Sequence, residues 1–169
     1  PLSGKELITS KIKCWVALGA LGAHNENNQF RKDWNFFFNN TADYTAYLVS
    51  RFPTAIYFID AGSKVMTGKS LIPTDPGNIV RTVYRDWLWN VFNQTLDDQR
   101  PSWDLAAVYF AVEGCGEFLQ YTPKGYLEFD PEKGCRWNIG EKDRNHHMII
   151  QKDNCDQALA NYLNRRIVK

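Results

Sequence analysis

The chain has 169 residues, of which 44% are hydrophobic, and this is enough for one compact domain whose core needs no disulfide lattice or structural metal. Twenty Lys and Arg residues balance 19 Asp and Glu residues, so the net charge of +1 excludes a generally disordered chain and a polycationic nucleic-acid coat. The weakly polar run 14–23 is too short to cross a membrane, since a spanning helix needs about 20 apolar residues. We therefore expect a single domain over 1–169 whose function comes from local sites.

The first third of the chain predicts helices that alternate with buried strands. Gly19 and Gly22 close the first strand, and Thr41 or Asn40 is positioned to cap the following helix. The intervening polar loop is too hydrophilic for the core and suits a loop over a site. The predicted elements are a helix over 5–13, a strand over 12–18, the polar loop over 24–32, a helix after 41 with apolar positions Tyr44, Tyr47 and Leu48, and a strand over 55–59.

The middle of the chain is predicted to be mainly helical. A short helix is expected over 64–66, before a Pro- and Gly-containing loop over 67–76. Ser102 is a favourable cap for a helix that is apolar nearly all round over 105–112 and so is expected to be buried. The longest helix keeps an aromatic-rich stripe that we assign to the core rather than to ligand stacking: Ile79, Val83, Tyr84, Trp87, Leu88 and Val91.

The last third predicts a small antiparallel region and a closing helix. Alternating residues on either side of the turn at 130–134 predict a β-hairpin within 118–138. A further strand is expected over 146–150, and an amphipathic helix over 155–168 closes the chain. The fold class is therefore α/β, a layered sheet flanked by helices, with a small antiparallel hairpin region near the C-terminus.

The cysteines and the glycosylation sequons bear on the compartment. The four cysteines have no metal-ligand spacing, and a disulfide between Cys115 and Cys135 stands against four isolated thiols as equal alternatives. Sequons at Asn39 and Asn93 favour glycosylation and secretion. The sequence opens on Pro rather than Met, without a secretory signal pattern, which we interpret as a maturation product, a trimmed chain or a partial sequence.

Two polar clusters stand out in otherwise apolar surroundings, whereas phosphate-binding loops, nucleophile elbows and zinc-protease motifs are missing from the sequence. The first cluster is Asp33 with Asn35, and the second is Trp103 with Asp104. Their structural alternatives are turn capping for the first cluster, and a core indole with a carboxylate that complements a helix dipole for the second. Asp60 ends a predicted strand, and we interpret it as a strand-end cap rather than an acid.

In the order of its blocks, the chain resembles the second half of the nucleoside hydrolase family of the inosine-uridine-preferring type. The first block resembles that family's helix and strand, which end in a Gly-rich turn. The second block resembles the family's Glu-Phe-Asn segment and the helix after it. The third block resembles the helix start that carries a His-Asp or Trp-Asp pair in the family. The matching blocks are 7–20, 33–36 with 41–46, 100–108 and the hairpin that contains Trp137.

The resemblance implies roles for these residues in calcium-dependent hydrolysis of the N-glycosidic bond of ribonucleosides. Asp33 and Asn35 would bind the ribose hydroxyls, and Trp103 would contact the base, although an indole cannot protonate a leaving base as an imidazole can. Asp104 would be a Ca²⁺ ligand, since this hard cation takes carboxylate and carbonyl oxygens. A water bound to the cation would supply the nucleophile.

The family's N-terminal aspartate cluster, which supplies most calcium ligands and the general base, has no counterpart in this sequence. Asp97 and Asp98 form the one adjacent carboxylate pair, and their position after a helix indicates solvated surface. We therefore expect a second polypeptide to supply the aspartate-rich half of an N-ribohydrolase. The alternative is an inactive descendant, a pseudoenzyme that binds sugar or serves as a structural assembly subunit. Either form can oligomerise, and neither reading implies a nucleic-acid or membrane partner.

Overall fold

The protein is described by a computed structural model over residues 1–141 and 144–168. Short 3-10 turns lie at Phe38–Asn40, Lys69–Leu71 and Leu96–Asp98. The helices are α1 (Gly4–Lys11), α2 (Trp34–Phe37), α3 (Ala42–Arg51), α4 (Ile79–Phe92), α5 (Trp103–Glu113) and α6 (Asp156–Ile167). The strands are β1 (Cys14–Leu18), β2 (Ala55–Asp60), β3 (Met66–Thr67), β4 (Arg100–Pro101), β5 (Leu119–Tyr121), β6 (Gly125–Asp130), β7 (Gly134–Ile139) and β8 (His146–Gln151).

The contacts divide the chain into two compact units. The first unit combines Pro1–Ala61 with Ala107–Gln151, and the second combines Gly62–Ala106 with the segment that begins at Lys152. The expected α/β class is confirmed at the level of a mixed sheet with helices and small antiparallel pairs. Within the described residues, no helix is long and apolar enough to cross a membrane.

The first unit is built on a four-stranded sheet of order β1-β2-β8-β5. The strands β1, β2 and β8 run parallel, whereas β5 pairs antiparallel with β8. The register pairs Leu18 of β1 with Ile59 of β2, and Asp60 of β2 with Ile150 of β8. The carboxyl ends of β1 and β2 therefore lie at the same edge of the sheet, where loops of α/β proteins usually carry binding groups.

The expected hairpin is formed by β6 and β7 and belongs to the first unit. Its turn is closed by the carboxylate of Asp130, whose Oδ1 accepts hydrogen bonds from the amides of Glu132 and Lys133 at 2.9 Å. Leu127 and Trp137 from the hairpin are buried in one cluster with Phe58 and Met148 of the sheet. The hairpin is thus part of the core of this unit.

The second unit is organised around the antiparallel pair β3–β4, helix α4 and helix α6. Its buried cluster contains Leu71, Leu88 and Leu96. The expected helix over 64–66 is wrong, because a turn there leads directly into β3. The carbonyl of Gly62 accepts hydrogen bonds from the amides of Val65 and Ser102, which turns the chain toward its partner strand β4.

The assignment of the α4 stripe to the core is wrong for most of its residues. Leu88 is buried in the cluster with Leu71 and Leu96, and Tyr84 packs against that cluster. Ile79 is 76% exposed, however, and Trp87 lies at the surface. Other apolar positions on helices that the structure leaves exposed are Tyr44, Tyr47 and Leu48 of α3, Val83, Trp89, Val91 and Phe92 of α4, and Val108 and Val112 of α5.

Candidate functional site

A tight turn follows β1 and brings two carboxylates to adjacent backbone amides. Ala20 and Gly22 both have positive φ, 62° and 70°, and the amide of Ala23 donates to the carbonyl of Ala20. The amide of Leu21 donates to Oδ2 of Asp33 at 3.1 Å. The next amide, that of Gly22, donates to Oδ2 of Asp60 at 2.8 Å, so side chains from β2 and from the polar loop meet at this turn.

Asp33 is a carboxylate buried at the end of β1, with 3% of its surface exposed. Its backbone carbonyl accepts hydrogen bonds from Phe36 and Phe37 and so begins α2. Burial raises the pKa of Asp33, and the backbone amides of Leu21, Phe36 and Asn35 act to lower it. The side chain of Asp33 forms no capping hydrogen bond at the start of α2. Its Oδ1 is buried and has no hydrogen-bond partner among the described residues. A buried acceptor of this kind carries the cost of its lost contact with water.

Electrostatic interactions connect Asp60 with Asp33 and His24, and connect Cys135 with both carboxylates. Burial raises the pKa of Asp60, the Gly22 amide lowers it, the negative charge of Asp33 raises it further, and His24 lowers it. Burial, followed by the charges of Asp33 and Asp60, raises the pKa of the Cys135 thiol to about 12. We call Asp33, Asp60, His24 and Cys135 the strand-end cluster.

Asn35 lies at the same end of β1 as the strand-end cluster. Its Nδ2 donates to the carbonyl of Leu18, the last residue of β1, at 3.2 Å. The side chain is exposed, unlike that of Asp33. The structure therefore brings the two residues of the first predicted cluster to one place, with the carboxylate buried and the amide at the surface.

The polar loop between β1 and α2 is held in a fixed form by Asn25. Nδ2 of Asn25 donates to the carbonyls of Gly22, Ala23 and Gln29, and its Oδ1 accepts from the Gln29 amide. One amide side chain thus satisfies four backbone groups of the loop. The sequence marked this segment as a loop over a site but did not indicate which residue orders it.

The β6–β7 hairpin fastens the other end of this loop. Arg31 and Cys135 exchange two backbone hydrogen bonds of 2.8 Å, and the amide of Trp137 donates to the carbonyl of Ala23. Gly134, which has φ +122°, lies so close to the carbonyl of Arg31 that a Cβ would come within 2.4 Å of the oxygen. The hairpin consequently determines where the backbone runs just before Asp33.

Trp103 and Asp104 belong to the second unit, at the start of α5. Ser102 precedes them and is buried, with its hydroxyl 2.7 Å from that of Thr67. The indole of Trp103 is partly buried, and the guanidinium of Arg100 lies 5.9 Å from its centroid. Asp104 is exposed in the first turn of the helix. The two predicted clusters thus occupy different units, and each is described within its own.

The described residues do not assemble a metal site by themselves. Over residues 1–141 and 144–168, no group of three or more His, Cys, Asp or Glu side chains could hold a metal ion. Asp104 therefore offers one exposed carboxylate, which is too few oxygen ligands for Ca²⁺. Any calcium site would need further ligands from outside the described residues.

The remaining sequence predictions concern modification and disulfides. Asn39 and Asn93 are both exposed and have left-handed backbone conformations, φ 57° and 53°. Their glycosylation stays a prediction. Cys135 is a buried thiol whose Sγ lies 3.5 Å from the carbonyl of Arg31, so the structure does not contain the alternative bridge between it and Cys115.

The sequence interpretation named Asp60 only as a strand-end cap, and it gave His24 and Cys135 no role at this site. A usable signal was present for Asp60, because it ends a buried strand that neighbours the strand leading to Asp33. Cys135 gave no such signal, since only the hairpin contact with Arg31 brings it near the carboxylates.

The comparison with known proteins provides no family for the chain. It matches no protein-family model, no curated protein and no solved structure. The resemblance to nucleoside hydrolases therefore stays a prediction from the sequence blocks.

Proposed function

We propose that this chain forms the sugar-binding part of a nucleoside hydrolase-like N-ribohydrolase, whose aspartate-rich part is supplied by another polypeptide. Asp33 and Asn35, in the first unit, bind the ribose hydroxyls. The resemblance implies a contact with the base for Trp103 and a Ca²⁺-ligand role for Asp104, and both of these residues belong to the second unit. The catalytic step depends on groups outside the described residues, so these residues bind and orient the nucleoside.

The observation that carries the proposal is the buried Oδ1 of Asp33, which has no partner among the described residues. A buried carboxylate oxygen without a donor is costly, and hydrogen bonds to charged groups contribute about 1.5–3 kcal/mol. In the proposed complex a sugar hydroxyl donates to this oxygen, and the exposed amide of Asn35, at the same end of β1, contacts a neighbouring hydroxyl. The proposed ligand feature is a vicinal diol, which distinguishes ribose from deoxyribose.

The first experiment separates the binding role from the assembly. Titration of ribose and of inosine or uridine into the purified chain, followed by NMR, is expected to shift the signals of Asp33 and Asn35. Asp33→Asn is expected to weaken ribose binding by about 10- to 100-fold, the equivalent of one charged hydrogen bond. Asp43→Asn is the matched control, because Asp43 is an exposed carboxylate in the same unit. Equal affinity in the two variants would refute the assignment of Asp33.

The second experiment tests the missing half. Native mass spectrometry of protein purified from its source is expected to show a second polypeptide with its own acidic cluster. That complex should release ribose from nucleosides when Ca²⁺ is present, and a chelator should abolish this release. Asp104→Ala should also abolish the calcium-dependent activity. A complex that cleaves nucleosides equally well with Asp104→Ala would remove Asp104 from the metal site.

A second candidate function is a catalytically inactive subunit for binding or assembly. The observation that favours it is the exposed apolar surface of α4, which includes Ile79, Val83 and Trp87. Surface patches of this kind often form interfaces. In this case the purified assembly binds ribose but releases none from any nucleoside, with or without Ca²⁺.

A further inference from the structure

Two carboxylates share one turn in the first unit, and the proposed function uses only one of them. Asp33 and Asp60 accept hydrogen bonds from consecutive amides, those of Leu21 and Gly22. Asp60 is the last residue of β2 and is held in register with Ile150 of the neighbouring strand. The strand thus fixes the position of the Asp60 backbone, and its side chain holds the turn.

We propose that Asp60 is a positioning residue for Asp33, acting through the Leu21–Gly22 turn. This inference rests on the proposed function only in giving Asp33 a ligand. Asp60 anchors the Gly22 amide, and the preceding amide, that of Leu21, then donates to Oδ2 of Asp33. The remaining oxygen of Asp33 is thereby left for a ligand.

The groups around Asp60 affect the charge of its carboxylate. The charge of Asp33 raises the pKa of Asp60, after burial and the opposing effect of the Gly22 amide, and His24 lowers it. The Gly22 amide thus favours the ionised carboxylate of Asp60, which is the stronger acceptor for its hydrogen bond.

Two variants separate the hydrogen bond from the charge. Asp60→Asn keeps a carbonyl oxygen that can accept from the Gly22 amide but removes the charge, whereas Asp60→Ala removes both. The carboxyl carbon of Asp33 is followed by NMR from pH 3 to pH 9 in the wild type and in both variants. Amide hydrogen exchange at Leu21 and Gly22 is measured in the same samples.

Asp60→Ala is expected to increase exchange at Leu21 and Gly22 by at least tenfold and to shift the carboxyl signal of Asp33. Asp60→Asn, which keeps an acceptor for the Gly22 amide, is expected to leave both close to the wild type. Unchanged exchange in Asp60→Ala, or equal increases in the two variants, would overturn the inference. Ribose affinity, measured over the same pH range, is a separate readout: a wild type that binds no ribose refutes the proposed function and leaves the NMR result to decide the role of Asp60.

Discussion

The contact between the β6–β7 hairpin and the loop before Asp33 makes a quantitative prediction about Gly134. In Gly134→Ala the new Cβ would lie 2.4 Å from the Arg31 carbonyl oxygen and 2.9 Å from the Lys32 amide nitrogen, both of which are backbone atoms. The backbone φ of +122° adds strain of about 1–3 kcal/mol. Loss of the two Arg31–Cys135 hydrogen bonds adds about 1–3 kcal/mol. We expect a total destabilisation of about 2–6 kcal/mol.

Gly140 provides the matched control for this variant. It has a similar φ of +135°, but a Cβ built there meets nothing within 4 Å. Gly140→Ala should therefore show the backbone strain alone, and the difference between the variants isolates the hairpin–loop contact at about 1–3 kcal/mol. Urea unfolding measures the free energies, and amide hydrogen exchange at Leu21 and Arg31 reports on the loop. Equal destabilisation by the two variants, with unchanged exchange at Leu21, would show that the hairpin does not position the Asp33 loop.

Three further predictions concern single buried groups. Burial lowers the pKa of His146 to about 4, so between about pH 6.5 and pH 4 the unfolded chain binds a proton there and the folded chain does not. As the pH drops from 7 to 4, the unfolding free energy should therefore fall by about 3 kcal/mol more in the wild type than in His146→Gln. Parallel curves for the two proteins would contradict this. The Cys135 thiol, with its pKa raised to about 12, should resist iodoacetamide at pH 8 until urea unfolds the protein, and rapid alkylation of the folded protein, read by peptide mass spectrometry, would count against its burial. Ser102→Ala leaves the hydroxyl of Thr67 without its 2.7 Å partner and should cost about 1–2 kcal/mol in urea unfolding, whereas the exposed Ser50→Ala should cost less than about 0.5 kcal/mol.

Much of the element order follows from local sequence patterns. The apolar run before Gly19, the run over 55–59 and the alternation on either side of Asp130 each predict a strand that the structure contains. These signals succeed because strand and turn preferences act over a few residues. The sequence also isolated Asp33 and Asn35, because polar residues between apolar segments are visible without the fold.

Periodicity did not assign the buried face of α4 correctly. The α4 stripe has ideal helical spacing, yet Leu88 is buried while Ile79 and Val83 are exposed. Periodicity reports that a helix has an apolar face, whereas burial depends on whether another element covers that face. The prediction of a helix over 64–66 was wrong for a related reason, since the pairing of β3 with β4 overrides the local helical preference.

The sequence alone thus determined most of the α/β elements and the presence of an acidic and an amide side chain, Asp33 and Asn35, after the first strand. The tertiary structure decided that Asp60 and Cys135 lie beside Asp33, because the parallel register of β2 and the contact of the hairpin with Arg31 join segments about 30 to 100 residues apart. The pKa shifts of these groups arise from burial and from their mutual charges. Such effects depend on distances in space, which only the folded chain establishes.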